Sequence, residues 1–157
     1  MAIDKVKKYF SQYDMDKKIL EFAVSSATVD LAASALNCEP ARIAKTLSFI
    51  VNDKVILIVT AGDAKIDNAK YKSFFRAKAR MLSFEEVEQR VGHAIGGVCP
   101  FAVNDGIDIY LDNSLKRFDT VFPACGSSNS AIELTISQLE KYSLYKEWID
   151  VCKNWLH

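Results

Sequence analysis

Hydrophobic positions near the N-terminus repeat with the period of an α-helix. One set is spaced as residues i, i+3, i+4 and i+7: Val29, Ala32, Ala33 and Leu36. Thr28 is a suitable N-cap for this helix, and Asn37 can adopt the left-handed conformation that ends one. The pattern therefore predicts a helix over Val29–Leu36. An earlier helix is predicted from the apolar face formed by Val6, Tyr9 and Phe10.

Two apolar runs in the following stretch predict a β-hairpin. They cover residues 46–51 and 55–59, and the sequence Asn52-Asp53-Lys54 separates them. Because Asn and Asp tolerate the backbone angles of a tight reversal, the two strands are expected to pair. The second run is apolar on both faces, which indicates a central strand. Before the hairpin, Pro40 favours a short helical turn over 41–44.

The second half of the chain alternates between helix and strand signals. Capping boxes at Ser83–Glu86 and Thr135–Gln138 predict the start of two helices. The other predicted elements are a basic helix over 67–75, short strands at 107–111, 121–122 and 131–134, and a C-terminal helix with Leu144, Trp148, Cys152 and Trp155 on one stripe. Asp108 and Asp112 are expected to face water, as most alternating acids on strands do.

This order of elements is not a regular βαβ alternation. It predicts an α/β protein of the α+β type, with a mixed, largely antiparallel sheet and flanking helices. No repeat, low-complexity tract or Pro/Gly/Ser-rich linker interrupts the 157 residues, so residues 1–157 are expected to form a single compact domain.

Composition narrows the class of protein. The chain has 20 Lys and Arg against 20 Asp and Glu, so its formal net charge is zero, which argues against tight nonspecific nucleic-acid binding. No apolar stretch is long enough to span a membrane and no apolar signal core follows Met1, so a cytoplasmic location is expected. The four cysteines are far apart, and with only two histidines neither a metal site nor a disulfide framework is expected.

Charge is concentrated between residues 61 and 80. This stretch holds six basic residues and two acidic ones: Lys65, Lys70, Lys72, Arg76, Lys78 and Arg80 against Asp63 and Asp67. The local excess of four positive charges has two readings. It is either a solvated helix face or a weak patch that steers phosphates.

Lys45 is the first candidate functional residue. It lies among the apolar residues Ile43, Ala44 and Leu47, where a lysine must either extend to water or find a partner. From its surroundings alone, both a structural and a functional role remain open.

Two loops are further candidates. In Gly96-Gly97-Val98-Cys99-Pro100, adjacent glycines allow close backbone approach and expose N–H groups that could hold a carbonyl oxygen, although a tight structural turn fits equally. Gly126-Ser127-Ser128-Asn129-Ser130 is a small polar run that could contact a ribose or an amine, or could be an ordinary turn. His93 and Cys99 could form a base and nucleophile pair, against buried structural roles for both.

The ordered set of these segments resembles the YbaK/EbsC-like aminoacyl-tRNA deacylases, a family that includes the editing domain associated with prolyl-tRNA synthetase. The resemblance covers nearly the whole chain, and these are the matching stretches: Ile43–Leu47, Ile95–Phe101, Phe118–Val121, Ala124–Asn129 and Ile132–Thr135. Thr46 stands where some relatives have Asn, and Asn129 stands where some have His. Both differences affect positions that could tune amino-acid choice.

The resemblance implies a curved sheet with one central pocket and the hydrolysis of a small amino acid from the terminal ribose of a tRNA. It places Lys45 on the family's key lysine, and Gly96 and Pro100 on its Gly-x-x-x-Pro loop. We expect Lys45 to anchor the substrate, Gly96 and Gly97 to hold its carbonyl, and Thr46, Val98, Cys99 and Pro100 to shape the pocket. Gly126, Ser127, Ser128 and Asn129 are expected to contact ribose or amine.

The expected partner is aminoacyl-tRNA, bound transiently by its acceptor end. Weak phosphate contacts are expected from Lys65, Lys70, Lys72 and Arg76, and contact with a synthetase is possible by analogy. No metal or organic cofactor is expected. Two alternatives stay open: a non-catalytic module that binds aminoacyl-tRNA ends or nucleotides, and a thiol hydrolase that uses Cys99 and His93. The choice among alanine, cysteine and serine, and the identity of the tRNA, stay open as well.

Overall fold

A six-stranded mixed sheet organises the chain in the computed structural model, which describes residues 2–155. The helices are α1 (Ala2–Ser11), α2 (Val29–Leu36), α3 (Asn68–Phe75), α4 (Phe84–Val91) and α5 (Ile136–Ser143). The strands are β1 (Leu20–Glu21), β2 (Ile43–Val51), β3 (Lys54–Ala61), β4 (Lys65–Ile66), β5 (Asp108–Asp112), β6 (Thr120–Pro123), β7 (Ser130–Ala131), β8 (Leu134–Thr135), β9 (Glu147–Ile149) and β10 (Cys152–Lys153). The large sheet has the order β8-β6-β2-β3-β5-β9, and the pairs β1-β7 and β4-β10 form small separate sheets.

The predicted hairpin is confirmed and forms the centre of the large sheet. β2 and β3 pair antiparallel from Ala44 opposite Ala61 to Val51 opposite Lys54. Asn52 and Asp53 both have positive φ, at 50° and 63°, as a tight two-residue reversal requires. The central position of β3 is also confirmed, because residues 55–59 are all buried.

The sheet is mixed, as predicted, because the strands flanking the hairpin run in both directions. β6 pairs parallel to β2, β5 parallel to β3, and β9 parallel to β5, whereas β8 pairs antiparallel to β6. The buried apolar residues of β3 and β5 belong to one main core that also holds Phe10, Phe101 and Leu139. A smaller cluster joins α2 to the start of β2 and to β6 through Ala32, Ala33, Ile43 and Phe122.

The predicted helix boundaries follow local capping chemistry. Thr28 Oγ1 accepts a hydrogen bond from the Leu31 N–H at 3.2 Å, and Asn37 ends α2 with a φ of 54°. Complete capping boxes start α4 at Ser83 and α5 at Thr135. Each satisfies backbone N–H groups that a helix start would otherwise leave without partners.

Residues 41–44 do not form the predicted helical turn as a unit. A 3₁₀ turn covers Pro40–Arg42, and β2 begins at Ile43. Pairing of Ile43 with Phe122 of β6 extends the strand towards the N-terminus. Lys45 therefore lies within β2, opposite Thr60, rather than before the strand.

The predicted C-terminal helix is wrong. Leu144 ends α5 with a φ of 52°, and the chain then forms β9, which pairs with the edge of β5 that faces away from β3. Cys152 lies in β10, which pairs with β4. The helical spacing of Trp148 and Cys152 is overridden by strand pairing, since an edge left without a partner exposes a row of backbone hydrogen-bonding groups.

Two strand predictions also need correction. The run 131–134 is split between β7 and β8, which pair with different strands. Asp112 does not face water: it is fully buried, and its carboxylate accepts hydrogen bonds from the Ser114 N–H at 2.9 Å and the Val151 N–H at 3.0 Å. β5 lies between β3 and β9, so both of its edges are paired, and residues 109–112 are buried on both faces of the strand. Within residues 2–155, no helix is long and apolar enough to cross a membrane.

Candidate functional site

A cavity of about 360 Å³ opens beside the N-terminal half of β2. Its walls come from β2, the segment 26–29 before α2, the start of α4, the glycine loop, and the ends of β6 and β7. Polar groups on the wall are a lysine and several hydroxyls: Lys45, Ser26, Thr28, Thr46, Ser48 and Ser130. Among the described lining residues none is acidic, so the wall presents one cation and hydroxyls in a largely apolar surface.

Lys45 lies on this wall with its ammonium group held by backbone carbonyls. Nζ donates to the Ala64 carbonyl at 2.5 Å and lies 3.5 Å from the Gly62 carbonyl. Burial lowers the pKa of Lys45, and the nearby Cys152 and Asp63 oppose this effect. The lysine is thus kept among apolar residues by finding partners rather than by extending to water.

The carbonyls that hold Lys45 belong to a loop that the sequence reasoning missed. A Cβ on Gly62 would lie 2.0 Å from the Pro40 carbonyl oxygen, so the loop packs tightly against the 3₁₀ turn before β2. Arg117 forms a two-pronged ion pair with Asp63 at 2.9 and 2.6 Å. Arg117 also donates to the Ser114 and Trp155 carbonyls, which ties the loop to the C-terminal segment. A Gly-Asp pair directly after a central strand was the signal available in the sequence.

The two glycines of the candidate loop have different positions. Gly96 lines the cavity with a φ of +86°, and a Cβ there would lie 2.9 Å from the Ala27 Cβ. Gly97 packs behind it: its N–H donates to the Ala94 carbonyl, and its own carbonyl accepts from the Gly126 N–H, both at 3.0 Å. The Gly97 amide is therefore used within the protein. The predicted role in holding a carbonyl rests on Gly96 and the residues next to it at the cavity.

The rest of this loop divides in the same way. Val98 lines the cavity, whereas Cys99 and Pro100 are buried and are not part of its wall. Burial raises the pKa of the Cys99 thiol to about 12. The predicted contact between Cys99 and substrate therefore has no support from its position.

His93 and Cys99 are neighbours, but both are enclosed. Cys99 Sγ lies 3.5 Å from His93 Nε2, which is also 2.7 Å from the Phe101 carbonyl. Their exposed fractions are 1% for His93 and zero for Cys99, and burial lowers the pKa of His93. A nucleophilic cysteine must reach substrate as a thiolate. In the described structure Cys99 is buried and its pKa is raised, so its position gives the thiol-hydrolase alternative no support.

The polar segment 126–129 supports the cavity from behind. Asn129 Nδ2 donates to the Phe22 carbonyl at 2.9 Å, and the Ser128 carbonyl accepts from the Ser26 N–H at 2.6 Å. The Ser127 hydroxyl lies 3.0 Å from Asn129 Oδ1, and Gly126 packs against the backbone of Ala2. In this conformation the segment fixes the wall at 26–29, and the next residues, Ser130 and Ala131, line the cavity.

The predicted pocket residue Thr46 is on the cavity wall. Thr46 lines the cavity, and its buried Oγ1 has no hydrogen-bond partner among the described residues.

The basic residues differ in their partners. Lys70 donates hydrogen bonds to the Asp150 carboxylate at 3.1 Å and the Cys152 carbonyl at 3.0 Å. The following side chains are exposed and, across residues 2–155, have no acidic group within ion-pair distance: Lys65, Lys72 and Arg76.

Metal binding has no obvious site in the described part of the chain. There, no three His, Cys, Asp or Glu side chains group in a way that could hold an ion. What the cavity offers a ligand is one ammonium group, hydroxyls and the backbone of Gly96.

The fold and cavity define a small α/β domain with a largely apolar cavity beside its central hairpin. A family model for the aminoacyl-tRNA editing domain matches residues 24–142, and the chain belongs to this family. An uncharacterized protein of Bacillus subtilis strain 168, YwhH, is 55% identical over 156 residues, which is 99% of each chain. A proline–tRNA ligase of Bacillus cytotoxicus is 21% identical over 145 residues, and the match spans 90% of this chain and 25% of that ligase.

Solved structures agree with this assignment. A crystal structure of a candidate trans-editing enzyme for prolyl tRNA synthetase superposes with a TM-score of 0.86 at 25% identity, over 97% of each chain. The resemblance inferred from the ordered motifs is confirmed. The matched region, 24–142, includes every wall of the cavity.

Proposed function

We propose that this chain is a free-standing hydrolase that removes a small amino acid from mischarged tRNA in trans. The observation that carries the proposal is Lys45, held on the wall of a largely apolar cavity in a chain of the aminoacyl-tRNA editing family. A free-standing role is supported by the similarity to YwhH, which extends over 99% of both chains.

The proposed reaction requires little acid–base chemistry from the protein. Water adds to the ester carbonyl and the bond to the ribose oxygen breaks. One proton of the water passes to the ribose oxygen, which leaves as a hydroxyl, and the other is released to solvent as the amino acid leaves as a carboxylate. The ester is already activated, and the neighbouring ribose hydroxyl can orient or activate the water. The protein then mainly positions the ester and stabilises the developing negative charge.

The cavity residues have distinct proposed tasks in this reaction. The Lys45 ammonium anchors the terminal nucleotide or the amino-acid end of the substrate through its charge. The backbone at Gly96 donates hydrogen bonds to the carbonyl oxygen. The Thr46 hydroxyl, which has no hydrogen-bond partner among residues 2–155, is available to a polar group of the substrate or to water. Val98 limits the space for the amino-acid side chain.

The character of the wall supports a small, uncharged amino acid. Its apolar part includes five alanines, at positions 27, 32, 44, 124 and 131, and its polar part is mostly hydroxyls. Alanine, cysteine and serine all suit such a surface. Prolyl tRNA is the proposed carrier of the amino acid. Among the relatives of this chain, one is a proline–tRNA ligase and another is described as a candidate trans-editing enzyme for prolyl tRNA synthetase. Contact with the synthetase is part of the same proposal.

A panel of mischarged tRNAs tests the proposal directly. Each tRNA carries a labelled amino acid, and loss of the label is followed with and without the protein. We expect turnover for at least one small amino acid and none for large side chains. No turnover on any member would defeat the enzyme proposal.

A binding module is the second candidate function. It is favoured by the fact that the Lys45 ammonium is already held by two carbonyls and that no described acidic side chain lines the cavity. The same panel separates the two functions. A binding module would retain aminoacyl-tRNA on a filter without releasing the amino acid, whereas the hydrolase releases it.

A further inference from the structure

Three exposed apolar side chains border the opening of the cavity. Met81, Phe84 and Ile95, here called the collar, all line the cavity, yet they are 58%, 77% and 41% exposed. Phe84 is the most exposed large hydrophobic side chain among residues 2–155. An exposed apolar patch beside a pocket marks an interaction surface more often than a scattered single residue does.

The collar is held in place by local structure. Phe84 is the first residue of α4, directly after the Ser83 capping box. Met81 is fixed because the chain on either side of it bonds to β2: the Ile50 N–H donates to Arg80 and the Leu82 N–H donates to Ser48. The position of Met81 at the opening is therefore set by backbone hydrogen bonds.

A basic segment leads directly to the collar. Arg76, Lys78 and Arg80 are exposed and precede Met81, and five residues of chain span at most about 18 Å. Across residues 2–155, no acidic group lies within ion-pair distance of Arg76 or Lys78. The pKa of the Glu86 carboxyl is lowered mainly by its hydrogen bonds with Ser83 and to a smaller extent by the nearby Arg80. Aromatic side chains next to cations form the usual binding surface for single-stranded nucleic acid, where bases stack and phosphates meet the positive charge.

We propose that the collar stacks the terminal nucleobase of the aminoacylated RNA, with Phe84 as the platform, and that Arg76 and Lys78 receive the phosphates behind it. This inference rests on the proposed function, since it places the RNA end that carries the amino acid. The cavity then takes the aminoacyl group while the base stays outside, at its opening. Stacking on an aromatic side chain tolerates any base, so the collar contributes affinity more than sequence choice.

A fluorescent RNA end tests the collar without any hydrolysis. The probe is an uncharged acceptor-stem RNA whose terminal adenosine is replaced by 2-aminopurine, whose fluorescence falls when it stacks. We expect titration with the protein to quench the probe. Phe84→Ala should weaken the interaction about tenfold, within the range for loss of one stacked base, whereas Phe84→Tyr should retain it.

Leu144→Ala is the matched control, because Leu144 is 74% exposed and does not line the cavity. It should bind the probe like the unaltered chain. Equal affinity of Phe84→Ala and the unaltered chain, or no quenching at all, would overturn the proposal. So would a change of oligomeric state in Phe84→Ala, measured by sedimentation with RNA affinity unchanged, because the collar would then contact a second copy of the chain.

The two proposals fail separately. If Phe84→Ala hydrolyses mischarged tRNA and binds the probe as well as the unaltered chain does, the collar proposal is wrong and the enzyme proposal stands. If quenching depends on Phe84 but no tRNA is hydrolysed, the collar proposal is supported and the enzyme proposal is wrong.

Discussion

Lys45 shows how a charged side chain can stay at the wall of an apolar cavity. Removing an ammonium group from water is costly unless other polar groups replace the water. The Gly62 and Ala64 carbonyls do this, and the Arg117–Asp63 ion pair fixes the loop that carries them. The lysine is thereby positioned before any substrate arrives, with its pKa lowered by burial.

The lowered pKa of Lys45 predicts a pH dependence of substrate binding. The ammonium charge is present below this pKa and is lost as the pH rises through it, at a lower pH than for an exposed lysine. Affinity for an amide analogue of the aminoacylated RNA end should therefore fall on the alkaline side. Lys45→Arg keeps its charge over the same range, so any affinity that this variant retains should not show that fall.

The α-amino group of the analogue titrates in both proteins and cancels from the comparison. Binding measured by calorimetry from about pH 7 to about pH 10 covers the range below the ordinary lysine pKa. Parallel profiles for the unaltered chain and Lys45→Arg would show that the Lys45 charge does not contribute to binding.

Gly97 predicts a stability effect that comes from contact rather than from backbone angles. A Cβ there would lie 2.5 Å from the Ser127 nitrogen and 2.6 Å from the Gly126 carbonyl carbon, and both are backbone atoms that cannot turn away. Gly97→Ala should lower the free energy of unfolding by about 1–3 kcal/mol or more, as overpacking does. Urea denaturation measures it.

Gly106→Ala is the matched control for Gly97→Ala. Gly106 has a φ of +85°, but a Cβ there would meet nothing within 4 Å. Only the backbone strain of about 1 kcal/mol should appear. An equal or smaller loss for Gly97→Ala would mean that the loop can separate from the 126–127 segment without cost.

Helix α4 carries part of the cavity wall, and its first turn depends on one cap. Ser83 Oγ accepts from the Glu86 N–H at 3.3 Å, and Glu86 accepts from the Ser83 N–H at 3.1 Å. Ser83→Ala should lower the free energy of unfolding by about 1 kcal/mol, and Ser83→Asp should recover most of it. Thermal melts of the three proteins decide this, and equal melting temperatures would show that the cap does not stabilise α4.

Elements with local signals could be predicted from the sequence. The hairpin turn at Asn52-Asp53 and the caps at Ser83 and Thr135 each depend on a few adjacent residues. β9 and β10 could not be predicted, because their partners β5 and β4 lie 30 or more residues away in the chain. For the same reason, the burial of Asp112 is visible only once β9 covers the edge of β5.

The candidate site divides in the same manner. Lys45, Thr46, Gly96 and Val98 were identified from the sequence, and all four line the cavity. The motif residues Gly97, Cys99 and Gly126 were also identified, but they pack behind the wall, since a sequence motif does not separate a lining residue from its support. The walls at 26–29 and 81–84 carry helix-capping signals but no motif that points to a ligand, and folding alone brings them to the site.

The charge of the whole molecule is consistent with the proposed function, which requires weak binding and release of RNA. The formal net charge is zero, and a positive excess of four lies between residues 61 and 80. Lys72→Glu with Arg76→Glu should weaken tRNA binding and flatten its salt dependence, with a loss in slope of about 0.7–0.9 for each phosphate contact removed. Lys17→Glu with Lys18→Glu, on the exposed turn after α1, is the control. An unchanged slope for the first pair would place the phosphate contacts elsewhere.

The most direct test of the central claim is the rate of deacylation by Lys45→Ala on the best substrate of the tRNA panel. Single-turnover rates are compared for the unaltered chain, Lys45→Ala and Cys99→Ala, with folding of each variant checked by circular dichroism. We predict a loss of about 100-fold or more for Lys45→Ala, in the range for loss of correct substrate positioning, and near-normal rates for any folded Cys99→Ala. A folded Lys45→Ala protein that deacylates at the full rate would contradict the account.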